Sequence, residues 1–253
     1  MRVGLIAALS GLLVFSGIDA RAQAPGRPGG RPDRVRVSLN AGSQTTKTSF
    51  TETRTFEEFV EQGSLTLTRD IPAGPFYDAG IAVRIWRGLE FGVTASYFVD
   101  RGAGTVNAQI PHPFFFNRFR TVSGEASRID RRETAGHAQI AWVVPVTRSF
   151  EFTLSAGPSV FVVEQVLVSS VAYTQQYPYD VAAFDHATTG RVKDTIVGYN
   201  AGADLTWRFA SHLGVGGTIR FSRGTGDLQL SGGDPVPIRA GGLHAGGGLR
   251  LIF

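Results

Sequence analysis

The sequence predicts an all-β fold, an eight-stranded antiparallel up-and-down transmembrane β-barrel, on three observations. Apolar and polar residues alternate with period two in eight segments, short and long connections between the segments alternate as regularly, and aromatic residues form two rows on the apolar face. Period-two alternation marks strands whose two faces meet chemically different surroundings.

The chain opens with the three parts of an export signal. Arg2 supplies the positive end, Val3 to Phe15 the apolar run, and Ala20, Arg21 and Ala22 a small-residue cleavage site. A rival site ending at Ala24 would leave Pro25 at the new N-terminus, so cleavage is expected after Ala22. The apolar run is too short for a membrane helix and is broken by Ser10 and Gly11. Residues 1–22 are thus a signal peptide. Residues 23–33, "QAPGRPGGRPD", have three prolines, three glycines and no apolar periodicity, the composition of a flexible periplasmic leader. Removing the first 22 of 253 residues leaves 231, a length that suits one all-β domain, here residues 34–253.

The strand segments lie near residues 34–44, 76–86, 89–98, 133–144, 150–164, 194–209, 212–223 and 239–253. In the third, Leu89, Phe91, Val93, Ala95 and Tyr97 oppose Glu90, Gly92, Thr94 and Ser96. In the sixth, Val197, Tyr199, Ala201, Ala203, Leu205, Trp207 and Phe209 oppose Gly198, Asn200, Gly202, Asp204, Thr206 and Arg208. Arg87-Gly88, Pro145 to Ser149 and Ala210-Ser211 are tight turns, whereas 45–75, 99–132, 165–193 and 224–238 are long loops. Tight turns therefore gather at one end and long loops at the other.

Alternation does not say which face is buried, since soluble and membrane barrels share the pattern with opposite polarity. The polar face carries both signs of charge among many glycines. Arg36, Arg84, Glu90, Glu151, Asp204, Arg208, Arg220 and Arg250 read as a paired network inside a narrow lumen, in which glycine leaves room for the long side chains. On the apolar face Trp142, Phe150, Trp207 and Phe209 lie near the tight turns, and Tyr77, Tyr97, Tyr199 and Phe221 toward the long loops. From Tyr199 to Trp207 is roughly 26 Å of strand at ~3.3 Å per residue, and roughly 20 Å along the normal at ~40° tilt. Two aromatic girdles around an apolar band are what a membrane barrel requires. A soluble periplasmic sandwich is the competing architecture.

With these features and the terminal "GGGLRLIF", the chain resembles the eight-stranded outer-membrane β-barrels of the OmpA and OmpX type. The resemblance covers nearly all of residues 34–253. In that family the last strand reads polar-x-Gly-x-x-apolar-x-aromatic, the signal recognised by the barrel-assembly machinery. Gly248, Leu251 and Phe253 match its last three positions, while Gly246 stands where a polar residue is usual. The resemblance implies a place in the bacterial outer membrane, contact with outer-membrane lipid and lipopolysaccharide, long loops outside the cell, and a monomer. Unlike full OmpA-type proteins, the chain is expected to be a barrel alone, without a periplasmic, peptidoglycan-binding domain after it.

Composition excludes several functions. The formal charge of +4, or +3 after cleavage, is no nucleic-acid footprint. The absence of cysteine excludes disulfides and a lipid-modified cysteine. His112, His137, His186, His212 and His244 are scattered without metal-ligand spacing, so no metal or other cofactor is expected. No local serine–histidine signature suggests a lipid-modifying enzyme, and none is expected. What remains is a structural or surface-interaction role carried by the loops, with an OmpW-like conduit for hydrophobic molecules as one alternative and an outer-membrane lipid-modifying enzyme as the other.

Two loop features stand out. Phe114, Phe115, Phe116 and Phe119 lie with Arg118 and Arg120 in "IPHPFFFNRFR", a combination that marks interaction surfaces. These rings are expected either to present such a surface or to fold over the barrel mouth and pack on themselves or on the tyrosines of "YTQQYPYD", residues 173–180. Phe56, Phe59 and Val60 have i, i+3, i+4 spacing, which predicts a short helix that joins the phenylalanines in a lid.

Overall fold

The computed structural model describes residues 35–45, 48–228 and 236–253. The expected signal peptide and leader, residues 1–22 and 23–33, lie outside them. The described residues form twelve strands: β1 (Val35–Gln44), β2 (Thr48–Glu58), β3 (Glu61–Ile71), β4 (Gly74–Trp86), β5 (Leu89–Asp100), β6 (Gly104–Pro111), β7 (Phe119–Ala126), β8 (Arg131–Pro145), β9 (Phe150–Gln175), β10 (Ala182–Arg208), β11 (Leu213–Leu228) and β12 (Val236–Ile252).

Eight of them close a barrel in the order β1-β12-β11-β10-β9-β8-β5-β4, antiparallel at every seam. The two ends of the barrel sequence meet, with Arg36 opposite Ile252 and Gln44 opposite His244. Val35 N–H donates to the Phe253 carbonyl at 3.0 Å, and Phe253 N–H returns the bond at 2.9 Å. Alternation has the polarity of a membrane barrel: Leu39, Ile81, Val93, Ile140, Leu154, Leu205 and Ile219 are exposed, while Arg36, Asp78, Glu90, Glu151, Arg220 and Arg250 are buried.

The segments expected as long loops are largely strand. β2 and β3 form a hairpin between β1 and β4, and β6 and β7 another between β5 and β8. The hairpins join through β3 and β6, Ser64 opposite Gln109 and Thr68 opposite Thr105, into a four-stranded sheet of order β2-β3-β6-β7. β9 and β10 also overrun the barrel. β8 leaves β9 at Gln165 and β11 leaves β10 at Gly198, yet β9 and β10 stay paired out to Gln175 and Ala182. Ten residues of β9, about 30 Å at ~3.3 Å each, project as a two-stranded ribbon.

The expected helix at Phe56, Phe59 and Val60 is instead the end of the β2–β3 hairpin. Phe59 and Val60 have φ of 52° and 65°, the paired positive values of a two-residue hairpin turn. On β2, Phe50, Glu52, Arg54 and Phe56 turn inward while Thr51, Thr53 and Thr55 are exposed, so period two governs and the helical spacing is coincidental.

The apolar core lies outside the membrane span. Phe50, Leu65, Leu67, Ile71, Val106, Ile110 and Val122 of the sheet form one buried cluster with Val166, Leu167 and Val168 of the ribbon and Phe98, Phe161 and Ile196 at the barrel mouth. Leu67 is 1% exposed. Leu67→Ala is expected to destabilise this layer by about 2–5 kcal/mol. Limited proteolysis should cleave the sheet faster, while the barrel keeps the shift in gel mobility between unboiled and boiled samples.

Candidate functional site

Inward-facing side chains fill the lumen in layers. Nearest the tight turns, Arg36 of β1 reaches across to Glu151 of β9 at 2.7 Å and lies 3.5 Å from Glu90 of β5. Arg84 adds a contact to Glu90 at 3.4 Å and Arg208 one to Glu151 at 3.3 Å. β1 and β9 stand opposite one another in the barrel, so the Arg36–Glu151 bond crosses the whole lumen. One layer further out, Arg250 pairs with Asp204 and donates to Asn40 at 2.6 Å, Asn40 donates to Asp78 at 2.5 Å, and Arg220 meets Asp78 at 3.0 Å. Gly216 makes this possible, because a Cβ there would sit 2.9 Å from the Arg250 guanidinium.

Above the charges lies an uncharged polar layer. Gln139 donates to Asn200 at 2.6 Å, Asn200 to Ser159 at 2.8 Å, and the His137 ring bridges Ser159 and Ser96 at 2.8 and 3.0 Å. Further out, apolar groups join the polar filling, which continues with Arg131, Glu133, Gln44 and His244. His244 stacks on Phe76 at 4.2 Å, and Phe98, Phe161 and Ile196 close the mouth. The space left among the charged side chains is a cavity of about 80 Å³, room for a few waters.

The outward aromatics fall in two rows. Toward the mouth, Tyr77 is paired with Tyr97, and Tyr199 lies 6.3 Å from Phe221. Toward the tight turns, Phe150 stacks on Trp207 at 6.2 Å and Trp207 lies 5.9 Å from Phe209, with Trp142 exposed nearby. Trp86 also projects outward beside the β4–β5 turn. The pattern hid it: a register shift between Arg84 and Trp86 breaks the alternation just before it. At the seam, Gly248 stands opposite Asn40 and Leu251 opposite Val37, and Phe253 is exposed after the last pair.

At the far end from the barrel three strand tips converge. Asn117 N–H of the β6–β7 loop donates to Glu61 at the β2–β3 turn, 2.7 Å. Arg118 pairs with Asp180 of the β9–β10 turn at 2.8 Å, and Phe114 meets Tyr179 edge-on at 5.5 Å. The β6–β7 loop is itself tied: His112 N–H donates to the Arg118 carbonyl at 2.8 Å, the His112 ring accepts from Phe114 N–H at 3.1 Å, and Phe115 packs on that ring at 4.9 Å. Phe114, Phe115, Phe116, Phe119, Val60, Tyr177 and Val181 nevertheless stay exposed, Phe116 at 74% and Tyr177 at 81%.

The phenylalanines thus form a crown at the tip and do not fold over the mouth. Arg120 is not part of its surface. Buried at 4% exposure, it donates to the carbonyls of Pro111 at 2.8 Å and Tyr179 at 3.2 Å and to Gln175, and so fastens the β6–β7 and β9–β10 tips together. Its planar fork of donors suits several acceptors at once. Backbone strain concentrates here too, with positive φ at Phe59, Val60, Asn117 and Tyr179. For β-branched Val60 this is a true outlier, imposed by the two-residue turn.

No family model matches the chain, and no curated protein is similar to it in sequence. Among solved structures it is similar to the outer membrane protein OprG from Pseudomonas aeruginosa, with a TM-score of 0.49, 8% identity and coverage of 87% of this chain and 97% of that one. It is also similar to the outer membrane protease OMPT from Escherichia coli (0.46, 10%, 88% and 97%) and to Neisserial surface protein A (0.44, 10%, 87% and 97%). At these identities no residue role passes from one chain to the other.

Two expectations follow. Glu151→Gln strips the shared carboxylate from Arg36 and Arg208, and removal of one partner from a buried ion pair typically costs about 3–5 kcal/mol. The folded gel band should vanish at a lower temperature, and replacing Arg36 and Glu151 together by methionine should restore much of the loss. In the crown's support, Tyr173 donates to Glu58 at 2.5 Å, and burial followed by the Glu58 carboxylate pushes the phenol up to about 12. A free phenol titrates near ~10. The bond is therefore intact below about pH 10 and is lost as the pH rises through about 12. Protease cleavage at the β9–β10 tip should rise across that window, and less so in Tyr173→Phe, which lacks the bond throughout.

Proposed function

We propose that this protein is a monomeric outer-membrane barrel, exported through a cleaved signal peptide and inserted by the barrel-assembly machinery, which reads Gly248, Leu251 and Phe253. Its role is non-enzymatic. The barrel is a closed anchor set in outer-membrane lipid and lipopolysaccharide, and the sheet and ribbon hold the crown away from the cell, where it binds an apolar partner surface. The observation that carries this reading is the convergence of three separate tips on one patch of exposed phenylalanine, tyrosine and valine. Large exposed apolar patches mark interaction sites, and a polar tip would satisfy the fold equally well. The filled lumen supports an anchor over a conduit.

Cells displaying the intact protein should be retained on polystyrene beads, and the triple change Phe114→Ser, Phe115→Ser, Phe116→Ser should reduce retention several-fold at equal surface expression. Equal retention would sink the adhesive reading. Steady single-channel conductance would sink the closed anchor, recovery in the soluble periplasmic fraction the membrane location, and an N-terminus other than Gln23 the cleavage site.

A further inference from the structure

A groove of about 1000 Å³ opens at the side of the barrel mouth, between β2 and the outer ends of β11 and β12. Its apolar lining includes Phe50, Phe221 and Ile238, and its polar lining includes Arg223 and Arg239 against one carboxylate, Asp227. Phe221 belongs to the outer aromatic row, and Arg223 is level with it: in the β10–β11 register Arg223 stands opposite Tyr199. Arg239 lies opposite Thr225, two residues further out, or about 7 Å along the strand. Both arginines are exposed on the outward face.

Two arginines on neighbouring strands within one groove, and the construction that holds them, distinguish this spot. Neither Arg223 nor Arg239 has an ion pair or a side-chain hydrogen bond among the described residues. The strand that carries Arg239 is held from inside. Arg131 of β8, directly across the barrel, donates to the Arg239 carbonyl, and its ion-pair partner Glu133 accepts from Gly241 N–H at 2.8 Å. Gly241 has φ of 83°, a backbone that L side chains rarely adopt. The inner face of this stretch is thereby tied to buried charge, and the Arg239 side chain is committed to the outer face.

A pair of uncommitted guanidinia at the height of an aromatic girdle, above exposed Phe221 and Ile219, complements one class of molecule: an amphiphile with its anionic group at the edge of the apolar band. Guanidinium binds phosphate through paired hydrogen bonds, and the rings below offer a surface for acyl chain. We infer that the groove binds the phosphorylated head group of a lipid from the surrounding leaflet, with Arg223 and Arg239 on the phosphate and Phe221 beneath the chain. This inference rests on the membrane reading of the barrel, which the gel-mobility shift tests independently in each variant.

The test uses the intact protein in nanodiscs of phosphatidylcholine mixed with either phosphatidylglycerol or lipid A, followed by transfer to detergent and native mass spectrometry of the lipid retained. Wild type should retain at least one of the anionic lipids in preference to phosphatidylcholine. Each membrane-facing arginine typically contributes about fivefold, so Arg223→Gln with Arg239→Gln should lower that preference about 25-fold. Equal retention by the double variant, or no preference in wild type, overturns the inference. So does displacement of the lipid by inorganic phosphate at matched phosphate concentration, since the site would then recognise the anion alone.

Discussion

Closure of the seam between β1 and β12 is the constraint on which the rest depends. In hydrocarbon an unpaired backbone group costs several kcal/mol, so a sheet spans only if it has no edge. Here the first and last barrel strands meet in register from Arg36 opposite Ile252 to Gln44 opposite His244, with reciprocal bonds between Val35 and Phe253. Closure also decides where charge can go. The Arg36–Glu151 pair joins opposite walls, and neither member would have that partner on an open sheet. The ion pairs are thus a consequence of the ring and, once formed, brace it from within.

The same inversion relocates the hydrophobic core. A lumen full of arginine and carboxylate has no space for it, and the barrel exterior relies on lipid for its apolar contacts. The four-stranded sheet therefore builds its core against the ribbon and the barrel mouth, where Phe50, Leu67, Val106, Ile110 and Leu167 cluster with Phe98 and Phe161. Charged residues survive beside this core only in company. Arg69 is held by Asp100, and Arg54 lies 2.5 Å from Glu52, whose carboxyl burial pushes above its ordinary range despite that partner. The outer layer behaves like a small soluble β-domain whose floor happens to be a membrane barrel.

That division explains what was legible in the sequence. The eight barrel segments and both aromatic rows were readable because lipid demands an apolar residue at nearly every second position over ten or more residues. β3 and β6 carry the same alternation, as in Leu65, Leu67, Arg69 and Ile71 or Val106, Ala108 and Ile110, but in short runs that a barrel template assigns to loops. β2 was harder still, because its inward face mixes Phe50 and Phe56 with Glu52 and Arg54, and three residues fell by chance on helical spacing. Trp86 was hidden by a bulge. Arg120 was indistinguishable from Arg118 two residues away, since only tertiary structure decides which guanidinium is buried as a tie and which is exposed.

The crown shows why a membrane protein would spend so much ordered structure beyond its lipid boundary. An exposed patch of phenylalanine on a mobile loop would collapse onto the nearest apolar surface, and here the mouth of its own barrel is close by. The ribbon removes that option by distance, since β9 and β10 run as a paired unit well past their barrel neighbours. Arg120, Tyr173 and the His112 loop bonds then remove the remaining freedom, each joining a tip to its support. Rings held this way have already lost most of the conformational entropy that binding would otherwise cost. The strained turns at Val60 and Tyr179 are tolerated for the same reason: a surrounding structure that over-determines the backbone can keep apolar side chains in water when relaxation would bury them.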